Sequence, residues 1–561
     1  MSIAESTITP VHAFADRAWD QFLELNPLWA TMQGDERWDD RLDDPGPDGR
    51  VAMLALAEAW EAEMDGFAGL ELSVEDQITL GLIRFAIARF RGSHELRLWE
   101  MEAIDQYSGP QGLMGDLART QRTDTPERFE NLLARIAAYP AWMAAHQANI
   151  AEGVASGRTA AAPVIERCIV QTRRMVQTPA DESPIVLVNA GLEEEQRARL
   201  VAAVERDVMP PLREWLASLE DYATHARGGD GICHLSDGGA IYRHAILSWT
   251  TISEEPQVIH DYGLARLAEI EAKAEAIVAE LGFGDVAALR AHLETAPENH
   301  VTDPADLVTL AEELIERAEA EAPRWFGRCP ADTCEVRAVE PHQEQEAPPA
   351  FYMTPTADGS RRGMYFINTY DPASRHLHRL AATTFHEAVP GHHFQLAIEQ
   401  ELTGLPAFRR FGARIAAGSF IEGWALYTEQ LAGEMGLYRT PQERFGALET
   451  EAWRAARLVV DTGIHDLGWT RQQSIDLLIE RAGLSLLEAE TETDRYISWP
   501  GQALSYMIGQ REILALRAQL EERDGDRFDH QAFHDEVIGH GSLALTVLRQ
   551  QLPGWVAPKA D

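Results

Sequence analysis

The chain has 561 residues, 45% of them hydrophobic and 25% charged, which is ample material for a large core. Its 90 acidic against 49 basic side chains leave a net charge of −41, a field that repels phosphate backbones and argues against nucleic acid as a partner. It contains no run of about 18 uninterrupted apolar residues, so no membrane span is expected.

The opening stretch, MSIAESTITPVHAFADRAWDQF, lacks the basic start and apolar centre of a secretory signal, and a cytoplasmic protein is expected. Apolar residues then recur at three- and four-residue spacing over 11–31, 51–68, 73–92, 126–152, 192–226, 256–282 and 304–322, which predicts amphipathic helices. No Pro/Gly/Ser-rich linker cuts the chain, so residues 1–561 read as one domain, with a helical N-terminal part over about 1–325 and the remainder over about 326–561. The cysteines, Cys168, Cys233, Cys329 and Cys334, form no CxxC pair. Such sparse usage suits a reducing compartment, although Cys329 and Cys334 could close a small loop or supply half a metal site.

Strand signals are few. The clearest is 363–369, aromatic and β-branched, and a second candidate is 334–339, with a Pro-rich loop from Pro341 to Pro355 between them. Residues 363–369 read as an edge that could pair with an extended peptide, with Asn368 facing the cleft or capping a turn. Asp371 as N-cap and Pro372 at the first position then predict a helix that runs into Thr384-Phe385-His386-Glu387-Ala388-Val389-Pro390-Gly391-His392-His393.

His-Glu is the front half of the HExxH signature, in which two histidines four apart bind one metal and the Glu activates its water. Here position 390 is proline, which lacks an amide and clashes with the carbonyl of His386, so the helix is expected to kink or bulge. A two-residue bulge would bring His392 to the second ligand position. His393 lies at nearly the same azimuth as His386 but roughly 10 Å along an unbroken helix, so His392 is preferred and His393 is the alternate. The third ligand is expected from Ser419-Phe420-Ile421-Glu422-Gly423-Trp424-Ala425-Leu426-Tyr427-Thr428-Glu429, where Glu422 precedes a glycine that permits close backbone approach, and Glu429 is the alternative. A His-His-Glu set with an open position suits catalytic Zn²⁺, and would also accept manganese or cobalt.

These stretches, HEAVPGHHFQ (386–395) and SFIEGWALYTEQ (419–430), together with RLVVDTGIHDLGWT (457–470), PGQALSYMIGQ (500–510) and, more weakly, ATMQGDERWDDRL (30–42), resemble the bacterial DUF885 family, whose members are placed by similarity among gluzincin-type zinc metallopeptidases. The resemblance implies a mainly α, large helical metallopeptidase-like fold, with a small β-sheet beside the metal-binding helix and a deep central cleft. The GH of GHH is similar to the HExGH of helical oligopeptidases and carboxypeptidases, which supports His392.

Further roles fall to neighbouring residues. Asp461 is the candidate to orient a metal-bound histidine. His465, four residues on, is a candidate to bind an oxyanion or substrate. By family likeness Tyr506 is placed to stabilise the oxyanion, with Tyr496 second. Arg457 and Arg511 could receive a substrate carboxylate, or form structural ion pairs. No GxSxG elbow, P-loop or GxGxxG fingerprint follows a strand. The expected activity is zinc-dependent hydrolysis of small peptides with Glu387 as general base. The alternatives are a metal-dependent hydrolase of non-peptide amides or esters, and a non-catalytic, metal-stabilised peptide-binding scaffold.

Overall fold

The structure, a computed structural model, describes residues 8–339, 348–356, 359 and 361–559. It is mainly α. Each of the seven periodic segments is helical, and two are interrupted where proline falls. The first divides into Pro10–Leu25 and Pro27–Met32, and the fifth changes pitch over Val204–Val208 just before Pro210-Pro211. Helix starts follow a common rule. Thr9, Thr125, Asp303 and Thr440 each accept a backbone N–H with their side chains, and each is followed by proline at the first turn, where the missing amide costs nothing.

One buried cluster runs from Val11 to Val556 and joins the N-terminal helices to the C-terminal ones. Its axis is the helix Pro441–His465. Almost every side chain of that helix from Glu449 onward is buried, since it packs against Pro256–Leu281, Leu377–Glu387 and Arg471–Ala482 at once.

Three strands form one small sheet: β1 (Glu335–Ala338), β2 (Ala350–Met353) and β3 (Met364–Ile367), in the order β1-β3-β2, with β1 parallel and β2 antiparallel to β3. This corrects two expectations. The Pro-rich loop contains a strand, β2, whose Phe351 stacks on Phe366 across the pair at 4.9 Å; residues 340–347 of that loop lie outside the described residues. The 363–369 segment is therefore the central strand. Both its edges are paired, so it cannot accept a peptide, and Asn368 instead accepts the Tyr370 N–H in a turn.

The helix carrying the motif starts later than expected. Asp371 is left-handed (φ 47°) and heads only a short turn, Pro372–Ser374, after which the helix runs Leu377–Glu387. Its start is capped from elsewhere in the chain, because Asn299 accepts the His378 N–H at 2.9 Å.

Candidate metal centre

The motif helix breaks rather than kinks. It ends at Glu387, Ala388 leaves helical geometry (ψ −102°), and a new helix, His392–Glu401, begins at His392. Proline at 390 cannot donate to the His386 carbonyl, and only a glycine fits at 391, where a Cβ would lie 1.9 Å from that same carbonyl oxygen. The Trp424 indole N–H donates to the Pro390 carbonyl at 3.0 Å and fixes the turn. The extra residues are looped out, and the rings of His386 and His392 meet at 4.8 Å, nearly perpendicular.

Glu422 comes from the facing helix, Gly418–Glu434, which crosses Ser505–Asp524 at Gly423 and Gly509. A Cβ on Gly423 would lie 2.3 Å from the Gly509 Cα, so the backbones are in direct contact there. This crossing holds Glu422 against the two imidazoles. Its Oε2 lies 3.7 Å from His386 Nε2 and 3.4 Å from His392 Nε2, and one ligand atom from each residue falls within 4.8 Å of the others. Donors of a tetrahedral ion with bonds of about 2.0–2.1 Å are spaced about 3.4 Å apart. Glu422 Oε2 is buried with no hydrogen-bond partner among the described residues. A buried, unpartnered carboxylate oxygen facing two imidazole nitrogens fits a divalent cation.

The electrostatics agree. Burial alone would raise the Glu422 pKa, yet His386 and His392 hold it well below the usual carboxylate range. Burial disfavours a charged His386, yet Glu422 and Glu429 outweigh it and lift its pKa to about 9. The pocket is thus built to hold positive charge among carboxylates.

Glu429, two turns beyond Glu422, accepts from His386 Nδ1 at 2.8 Å, which leaves Nε2 turned toward the cluster. Its other oxygen accepts the Thr450 hydroxyl at 2.7 Å, and Arg454 lies 3.8 Å away. Glu429 is therefore neither the alternative ligand nor a surface acid, but the group that orients the His386 imidazole, as carboxylates do for histidines that hold a metal.

The family described as "Bacterial protein of unknown function (DUF885)" matches residues 27–552. The chain belongs to the DUF885 family. No curated protein matches it. Its fold is similar to the crystal structure of the "putative lipoprotein from Colwellia psychrerythraea", with 26% identity and a TM-score of 0.88 over 97% of this chain and 98% of that one. It is also similar to a "putative lipoprotein of unknown function from Shewanella oneidensis", with 21% identity and a TM-score of 0.76 over 97% and 100%.

The DUF885 chain brings some expected residues to the centre and sends others elsewhere. Glu387 directly follows His386, is half-buried, and makes no hydrogen bond among the described residues. The Tyr506 ring lies near-parallel to His386 at 6.2 Å, the Arg457 guanidinium sits 4.4 Å from the ring centre, and the Tyr506 hydroxyl has no partner among the described residues. His393, the alternate ligand, is committed elsewhere, with Nδ1 3.0 Å from the Tyr352 hydroxyl and Nε2 3.0 Å from the Asp332 carbonyl.

Asp461 does not orient a ligand. It accepts from the Tyr242 hydroxyl at 2.6 Å and the Gly501 N–H at 3.0 Å, a bridge between helices. Nor does His465 have a nitrogen left for an oxyanion, because Nδ1 accepts the Ile232 N–H and Nε2 donates to the Tyr496 carbonyl. Burial lowers its pKa to about 3, as suits a neutral structural imidazole. Tyr496 joins Arg457 and Glu492 in an internal network, and Arg511 pairs with Glu254, so both arginines are engaged structurally. All four cysteines are free, so the Cys329–Cys334 loop is not closed by a disulfide.

Proposed function

We propose that this DUF885 protein is a zinc-dependent peptidase that cleaves small peptides. The reading is carried by one observation: an unpartnered Glu422 Oε2 faces Nε2 of both His386 and His392, with Glu387 next in sequence to His386. His386, His392 and Glu422 would hold the ion. Two imidazoles and a carboxylate suit zinc and leave a coordination position open. A bound divalent cation supplies Lewis acidity, acidifying a water and polarising a carbonyl.

The chain's own residues do the rest. Glu387 takes a proton from the attacking water as its oxygen adds to the peptide carbonyl carbon. The C–N bond then breaks, Glu387 passes that proton to the departing amine, and the products are a carboxylic acid and an amine. The free Tyr506 hydroxyl donates to the oxygen that becomes negative during attack. Glu429 keeps the His386 tautomer fixed throughout. Free cysteines and an acidic surface suit a cytoplasmic setting and a peptide rather than a nucleic acid substrate.

The test combines metal analysis of the purified protein with mass-spectrometric digestion of a mixed peptide library, with and without chelator. About one bound zinc and chelator-sensitive cleavage are expected, and Glu387→Gln should retain the metal while losing at least about 100-fold in rate. Undiminished cleavage by that variant, or by metal-free protein, overturns the reading. A parallel panel of esters and non-peptide amides assigns the bond type.

A further inference from the structure

A cavity of about 300 Å³ opens between four helices, Pro256–Leu281, Gly418–Glu434, Pro441–His465 and Ser505–Asp524. That volume falls in the range of small-molecule sites. Its lining includes Glu429, on the Nδ1 side of His386, but none of the three residues that would hold the ion. We propose that this cavity is a binding site for a small molecule with an apolar body and a single carboxylate. The occupant would lie against the acid that orients His386.

The inner part of the cavity sets the body of the ligand. Ile277, Leu426, Tyr438 and Leu448 supply apolar walls. The buried acids among them are already satisfied. Glu429 is engaged by His386 and Thr450, and Glu451 by Arg266. A charge carried inward would therefore lose its water and find no free partner, whereas an acyl chain or an aromatic ring loses only contact with water.

The mouth sets the head group. Its exposed lining residues are Lys273, Gly433 and Arg444, so both charged groups there are cations. Arg444 is paired with Glu280 at 2.6 Å, whereas Lys273 makes neither a hydrogen bond nor an ion pair among the described residues. Lysine is rare in this chain, which has only Lys273 and Lys559, and its flexible apolar stem lets the ammonium swing over the mouth while the methylenes extend the wall. In a chain of net charge −41 most of the surface repels an anion, and this rim is a place where one is attracted. A carboxylate at the mouth meets Lys273, and its apolar tail points inward.

The experiment titrates the full-length chain with octanoate and with octanol by calorimetry at neutral pH. Octanoate should bind at least about 10-fold more tightly than octanol. Lys273→Gln alters one exposed side chain and should bring the two ligands within about 2-fold of each other, with octanol binding unchanged. Gly433→Phe blocks the cavity. A Cβ at 433 meets the Tyr438 ring at 3.7 Å, an ordinary contact, so a ring can stand at the mouth without moving the backbone. That variant should melt at the parental temperature and bind neither ligand. No binding of octanoate to the wild type, equal affinity for octanoate and octanol, a preference that survives Lys273→Gln, or octanoate binding that persists in Gly433→Phe overturns the proposal. Failure of the peptidase reading leaves these titrations unaffected, because they need neither metal nor turnover.

Discussion

Glu429 Oε1 sits 2.8 Å from His386 Nδ1, on the same helix as Glu422, whose Oε2 is 3.7 Å from the other nitrogen of that ring. One helix thus grips both sides of a single imidazole, since residues seven apart share a helical face. Replacing Glu429 by Gln keeps the shape but removes the charge that fixes the tautomer. Zinc affinity, measured by competition with a chromogenic chelator, should fall about 10–100-fold. An unchanged affinity would remove Glu429 from any part in metal binding.

Tyr506 offers a hydroxyl with no partner among the described residues, and its ring touches both His386 and Arg457. Tyr506→Phe keeps both ring contacts. Zinc content and thermal stability should stay at parental values, while kcat falls about 100-fold with little change in KM, because the lost bond forms only as charge develops on the carbonyl oxygen. A drop in stability with kcat intact would instead make Tyr506 a packing residue.

The crossing at Gly423 and Gly509 invites a stability test. A methyl at 423 would meet the Gly509 backbone at 2.3 Å, and neither helix has a flexible side chain there that could yield. Gly423→Ala should cost about 3 kcal/mol or more in urea unfolding and weaken zinc binding, because it displaces the adjacent Glu422. Gly404→Ala, where a Cβ would have nothing within 4 Å, serves as the control and should stay within about 0.5 kcal/mol.

What the sequence revealed and what it concealed have physical causes. Period-3.6 patterning located the long helices because each buries one stripe. The Pro-Gly interruption pointed to His392 rather than His393 as the neighbour of His386, and the broken helix does bring those two rings together. Sequence could not show that Asn299 caps the motif helix, or that β2 pairs with β3 and makes the latter central, because both depend on partners distant in the chain. Asp461 and His465 misled for the same reason. Polar residues on one helical face resemble a site until Tyr242, Gly501, Ile232 and Tyr496 are found to satisfy them. Glu429 was legible in principle from its spacing of seven to Glu422.

His540 joins the two ends of the chain. Nδ1 lies 2.5 Å from Glu75 Oε1, on the N-terminal helix Val74–Glu95, and Nε2 lies 3.0 Å from Glu536 Oε2. Burial opposes a charged ring here, but hydrogen bonds to Glu536 and Glu75 outweigh it and raise the pKa to about 9. A histidine whose pKa is higher folded than unfolded binds its proton more tightly in the native state. Its stabilisation is fully present below about pH 6.5 and is lost as pH rises through about 9. Urea unfolding at pH 6 and pH 9.5 should therefore show wild type losing roughly 2 kcal/mol more than His540→Gln over that interval. The proposed metal centre lies on other residues, so the variant should match wild type in zinc content at both pH values. If both proteins lose stability in parallel, His540 is neutral in the fold, and the two glutamates are held by Arg409 and solvent instead.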